Sequence, residues 1–169
     1  MLSKKLQDAI NEQINREFFS EYMYLSMAAY CHELDLDGVA NYFHVQAQEE
    51  HFHSMKFYNF VIDRGGKVTL KKIDAPPVAF KSVIDIFQQT LKHEQFVSKC
   101  INDLMDLAAK ENDHAVTSFL KWFVDEQVEE EASVNKTLNR LKLISGEGHG
   151  LLMIDNELAS RTFNPPQNA

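Results

Sequence analysis

Every glycine and proline of this chain falls in one of five short clusters: Gly38, Gly65-Gly66, Pro76-Pro77, Gly146 to Gly150, and Pro165-Pro166. The long stretches between them hold no residue that breaks a helix. That distribution favours a few long helices over many turns and predicts an all-α chain. A first helix is expected over about Ser3 to Glu33. Asp35 to Gly38 reads as a turn, with Asp37 able to cap a second helix that runs to about Arg64 and stops at Gly65-Gly66. Lys67 to Ala79 has no helical period and is a connection. Ser82 with Asp85 resembles a capping box and opens a third helix that ends near Lys110. Asn112-Asp113 can cap a fourth, ending near Ser145-Gly146. A short apolar fifth helix is expected over Leu151 to about Ser160, ended by Asn164-Pro165-Pro166.

Loop lengths then set the topology. The first and second helices are joined tightly, as are the third and fourth, so each pair is an antiparallel hairpin. The central link of about 16 residues reaches roughly 50 Å when extended. A helix of about 27 residues is roughly 40 Å long. The link therefore spans the bundle and leaves the second and third helices parallel. The 169 residues suit one domain with a sizeable core, residues 1–169.

Each long helix carries an apolar seam with alternating steps of three and four. The seams are apolar at both ends and polar in the middle. The interruptions are Glu17, then Glu50 with His53, then Glu94, then Gln127 with Glu130. Mid-helix positions of a bundle meet at one level, so six polar side chains should converge at one depth. Glu50 and His53, like Gln127 and Glu130, are three apart and share a helix face.

Buried carboxylates need a partner. No Lys or Arg lies between Arg16 and Lys56, or between Lys121 and Lys136. Four carboxylates (Glu17, Glu50, Glu94, Glu130) balance two divalent cations. Any one of these glutamates, alone, is more simply a side chain reaching a bundle edge, and His53 alone a hydrogen-bonded core histidine. Four interruptions at one level reverse that judgement and point to a metal centre. Oxygen ligands with one imidazole suit Fe, Mn or Zn, and the lack of thiolates argues against copper(I). Carboxylates favour the higher oxidation state, which suits Fe(II) to Fe(III) chemistry. Glu50 lies between the two halves of the cluster and is placed to bridge. Tyr24, two turns from Glu17, is either a core aromatic or a redox-active or hydrogen-bonding neighbour of the metals.

The chain resembles the prokaryotic non-haem ferritins over essentially its whole length. The resemblance rests on Glu17, Tyr24, Glu49-Glu50-x-x-His53, Glu94 and Glu126-Gln127-x-Glu129-Glu130, with the crossover length and the short fifth helix. It implies a ferritin-like four-helix bundle and a ferroxidase that oxidises Fe(II) with O2 or H2O2. One iron is then held by Glu17, Glu50 and His53, and a second by Glu50, Glu94 and Glu130 with Gln127 nearby. A third is expected near Glu49, Glu126, Glu129 and Glu130. The resemblance also implies storage of ferric mineral in homo-oligomeric shells of 24 subunits, with the fifth helix lining a four-fold axis. Gln127-x-x-Glu130 matches ferritin and not bacterioferritin, which repeats Glu-x-x-His there. His51 stands where bacterioferritin has its methionine haem ligand, so no haem is expected.

Two other readings stay open: a di-iron oxidase acting on an organic substrate, and a non-catalytic helical interaction protein whose carboxylates face solvent. The net charge of -8 weighs against a nucleic-acid partner. No stretch approaches the roughly 20 apolar residues of a membrane span, and Met1 to Ile10 lacks the apolar core of a signal peptide. Cys31 and Cys100, in no CxxC pattern, read as reduced helical thiols, and a cytoplasmic location is expected.

Overall fold

The computed structural model describes residues 2–165. Pro166, the last residue of the expected Asn164-Pro165-Pro166 stop, and residues 167–169 lie outside the described residues. Five helices follow one another: α1 (Lys4–Glu33), α2 (Asp37–Asp63), α3 (Val83–Lys110), α4 (His114–Leu143) and α5 (Gly148–Leu158).

Three starts follow the capping chemistry. The side chains of Ser3, Ser82 and Asp113 accept from the backbone N–H of Leu6, Asp85 and Val116, satisfying donors that a helix start leaves open. The fourth start corrects the sequence expectation. Asp37 is the first residue of α2 and not its cap; Leu36 precedes it and makes no side-chain cap bond. The Asp37 carboxylate instead meets His32 Nδ1 at 3.0 Å. α2 ends at Asp63, close to the expected stop, and the positive φ of 68° at Gly65 lets Gly66 N–H reach Val61 O at 2.8 Å. α5 begins at Gly148, three residues earlier than its apolar run, because that run starts one turn inside the helix.

The crossover lies along the outside of α1. Near one end, Lys67 N–H donates to Gln7 and Thr69 N–H to Asn11. Near the other, Ser26 Oγ donates to Pro77 O. From Gln7 to Ser26 is about 28 Å along the helix at about 1.5 Å per residue, so the link runs most of the bundle's length. One apolar cluster joins the end of α1 (Met27, Cys31), the starts of α2 (Val39, Phe43) and α3 (Ile86, Phe87), and the end of α4 (Leu138, Leu141). Shared starts make α2 and α3 parallel, which the link length allows. A second cluster joins the opposite ends through Leu6, Ile10, Phe57, Ile101, Leu120 and Phe123.

α5 folds back onto α2. Val39 N–H donates to Asp155 Oδ1 at 2.8 Å, and Asn41 Nδ2 donates to Leu158 O and Arg161 O. The approach is so close that a Cβ at Gly38 would lie 1.7 Å from Asp155 O. Gly38→Ala should therefore detach α5 while the four-helix bundle persists. Limited proteolysis should show early cleavage after Leu143 with an unchanged helical signal from the rest; a protected α5 in the variant would contradict the contact.

Candidate metal centre

Between the two apolar clusters lies a polar stratum. Its members are Glu17 on α1, Glu50 and His53 on α2, Glu94 on α3, and Gln127 and Glu130 on α4. Their exposures are 1%, 2%, 3%, 0%, 6% and 5%, so all six are buried. They are the residues at which the four seams turn polar, and parallel or antiparallel helices bring mid-length positions to one depth.

Glu17, Glu50 and His53 come closest together. Each offers a ligand atom, and these atoms all lie within 4.8 Å of one another. The other half is knit by hydrogen bonds. Tyr24 hydroxyl donates to Glu94 Oε1. Gln127 Nε2 donates to Glu94 Oε2 at 3.1 Å, and Gln46 Nε2 to Glu130 Oε2 at 2.9 Å. Gln13 Nε2 donates to Glu17 Oε1 at 2.8 Å. Glu17 Oε2 and Glu50 Oε2 are buried with no hydrogen-bond partner. An unpartnered buried carboxylate oxygen is costly, and a cation held between these side chains would satisfy both.

The electrostatics fit that need. Burial, then the neighbouring charges of Glu17 and Glu94, pushes Glu50 well above the usual carboxylate range. Burial and the Glu130 charge push Glu94 up to about 8, against the hydrogen bonds from Tyr24 and Gln127. Burial pulls the His53 imidazolium down despite the nearby glutamates. A neutral imidazole keeps a lone pair for a metal. Burial, and the Glu94 and Glu50 charges, hold the Tyr24 phenol well above its ordinary value. Tyr24 is thus a hydrogen-bond donor to the centre.

Glu49, Glu126 and Glu129 stand apart from the buried six. They line a surface hollow with Glu130, Ser133 and Arg161. Burial raises both Glu49 and Glu126 to about 7. A cation from beyond α5 reaches this hollow: Arg161 Nη2 meets Glu49 Oε2 at 2.7 Å, and its guanidinium lies 4.6 Å from the Tyr42 ring centre. Sequence reasoning missed Arg161 because it lies beyond α5, more than a hundred residues from its partner. It also missed Gln13 and Gln46, whose seam positions were legible but whose reach to Glu17 and Glu130 depends on rotamers. His51 is exposed on α2 and meets Glu21 at 3.2 Å.

Among the described residues, no helix is long and apolar enough to cross a membrane. Cys31 and Cys100 are buried free thiols, the Cys31 thiol pushed up to about 12 by burial.

Comparison with known proteins agrees with this architecture. Residues 7–144 match the family model for the ferritin-like domain. The chain is 42% identical over 164 residues to a bacterial non-heme ferritin of Staphylococcus aureus (strain MRSA252), covering 97% of this chain and 99% of that protein. The Staphylococcus haemolyticus bacterial non-heme ferritin is likewise 42% identical over 164 residues. Among solved structures, an open-pore ferritin of Archaeoglobus fulgidus superposes with a TM-score of 0.95 at 42% identity, covering 96% of this chain and all (100%) of that one. A closed form engineered from the Archaeoglobus fulgidus ferritin matches with a TM-score of 0.95 at 43% identity. A four-helix bundle with a full-length crossover, a buried carboxylate stratum and relatives matched end to end place the chain in the ferritin family.

Proposed function

We propose that the chain is a ferroxidase subunit of an iron-storage ferritin, oxidising Fe(II) and depositing ferric mineral inside a homo-oligomeric shell of 24 copies. The observation that carries this reading is the Glu17–Glu50–His53 cluster, buried in one compact group and holding two unpartnered carboxylate oxygens. Iron is the substrate. Glu17, Glu50 and His53 hold one ion; Glu50, Glu94 and Glu130 hold the second, with Gln127 beside them and Glu50 between the two. Two Fe(II) supply two electrons, which reduce O2 to H2O2 with uptake of two protons, or H2O2 to water. Carboxylates stabilise the extra positive charge on Fe(III).

The protein's own part is to place ligands and to handle protons. Glu50 and Glu94 are raised by burial and by like charges, so an entering cation displaces their protons. Tyr24 and Gln127 orient Glu94, Gln46 orients Glu130, and Gln13 orients Glu17. Such supporting bonds hold ligands in a productive geometry. Glu49, Glu126, Glu129 and Glu130 form a third cation site at the rim, where iron must compete with the Arg161 guanidinium for Glu49. The oxidant in this reading is O2 or H2O2, no haem takes part, and the free buried thiols suit a cytoplasmic location.

Anaerobic loading with Fe(II) followed by a pulse of air tests the reading. A fast phase that saturates at about two irons per subunit, with a slower third equivalent, is expected of a paired-metal centre with a rim site. The absence of a fast phase would overturn it.

A further inference from the structure

A second cluster of ligating side chains lies at the far end of the α1–α2 hairpin, well outside the buried stratum. His32, in the last turn of α1, and His44, on the outer face of α2, are both exposed. Their Nε2 atoms face each other at 3.3 Å. The other nitrogen of His32, Nδ1, lies 3.0 Å from Asp37 Oδ1. His32 is fifteen residues from Glu17, roughly 22 Å along the helix at about 1.5 Å per residue. No buried ligand of the iron centre touches this pair.

We propose that His32 and His44 form a surface site for a tetrahedral, imidazole-preferring dication of the Zn(II) type. Three features carry the assignment. First, zinc–nitrogen bonds of about 2.0–2.1 Å at a tetrahedral angle separate two imidazole nitrogens by about 3.3 Å, which is the separation seen here. Second, Asp37 accepts from Nδ1–H of His32, which puts the lone pair on Nε2, facing His44. A carboxylate behind a ligating histidine fixes its tautomer and ring orientation and raises its basicity. Third, the surroundings favour a cation: Glu33 and Asp35 are exposed beside the pair, and no Lys or Arg occurs between Arg16 and Lys56. Water fills the remaining two positions of the ion. Asp37 is thereby accounted for: it leaves the N-cap role its sequence position allows and serves the histidine instead.

The site is tested on the whole protein by equilibrium dialysis against Zn(II). Wild type should bind one more Zn(II) per subunit than His32→Ala or His44→Ala. Asp37→Ala should keep the site but bind it about 10- to 100-fold more weakly. Glu50→Ala and His53→Ala should lose zinc from the buried centre and retain this ion, which separates the two sites. Fe(II) oxidation in His32→Ala and His44→Ala should match wild type, showing intact subunits. Equal zinc stoichiometry and affinity in wild type, His32→Ala and His44→Ala would overturn the assignment and leave the pair a hydrogen bond between imidazoles.

Discussion

Glu50→Ala should fold, assemble and lose the fast phase of Fe(II) oxidation by at least about 100-fold. The expectation follows from position. Glu50 is buried at the meeting point of both proposed ion sites, within 4.8 Å of ligand atoms on Glu17 and His53. Removing a side chain that merely supports a metal ligand costs about 10- to 100-fold; removing one that serves two ions should cost more. In the proposed arrangement His53→Ala removes a ligand of one ion only. It should slow oxidation strongly while leaving one tightly bound iron per subunit. The folding of both variants is expected because neither residue belongs to the apolar clusters on either side. In metal-free protein Glu50→Gln should even unfold at higher temperature than wild type at neutral pH, since it replaces a carboxyl that burial and like-charged neighbours keep from ionising with an amide that never has to. Stopped-flow oxidation and calorimetry on the same preparations check both halves. Wild-type oxidation rates in Glu50→Ala would remove the buried centre from the mechanism.

The second large effect concerns pH. In the folded, metal-free chain Glu94 sits at about 8 against an ordinary value of 4.5, and Glu50 is raised in the same direction. Between pH 4.5 and about 8 the unfolded chain therefore releases protons that the folded chain retains. Where the folded state binds more protons, stability falls as pH rises. These carboxyls leave stability intact below pH 4.5 and subtract from it progressively up to about pH 8. The slope is at most about 1.4 kcal/mol per pH unit for each such group. Metal-free protein should thus melt at a lower temperature at pH 8 than at pH 6. Saturating Zn(II) should reverse the trend, because each ion displaces those protons and binds more tightly as pH rises. Calorimetry at several pH values, with proton release on zinc addition followed by an indicator dye, gives both readings. A pH-independent melting temperature together with no proton release would show that the buried carboxyls are already ionised and paired.

Much of this architecture is written in one dimension. The clustering of every breaker residue, the mid-seam glutamates and the long central link are local or periodic facts. Helix period and chain length convert them directly into four helices, a shared polar depth and a parallel α2–α3 pair. Glu17, Glu50, His53, Glu94, Gln127 and Glu130 were legible for that reason: a carboxylate on an apolar seam is conspicuous before any contact is known.

Other features had no such signature. Asp37 carries the residue type and position of a helix cap, yet its carboxylate goes to His32, a choice made by the geometry of the hairpin turn. Gly38 reads as a turn glycine, and only the docking of α5 shows that Asp155 needs the space. Arg161 lies past the last helix, and its pairing with Glu49 depends on where α5 folds back. The sequence by itself determined the helices, their order and the level at which charge is buried, because hydrophobic periodicity and loop reach are properties of the chain alone. The tertiary structure decided which buried oxygens stay unpartnered, which glutamines support them, and where Arg161 and His44 end up. Those outcomes rest on side-chain contacts between residues distant along the chain, which periodicity does not encode.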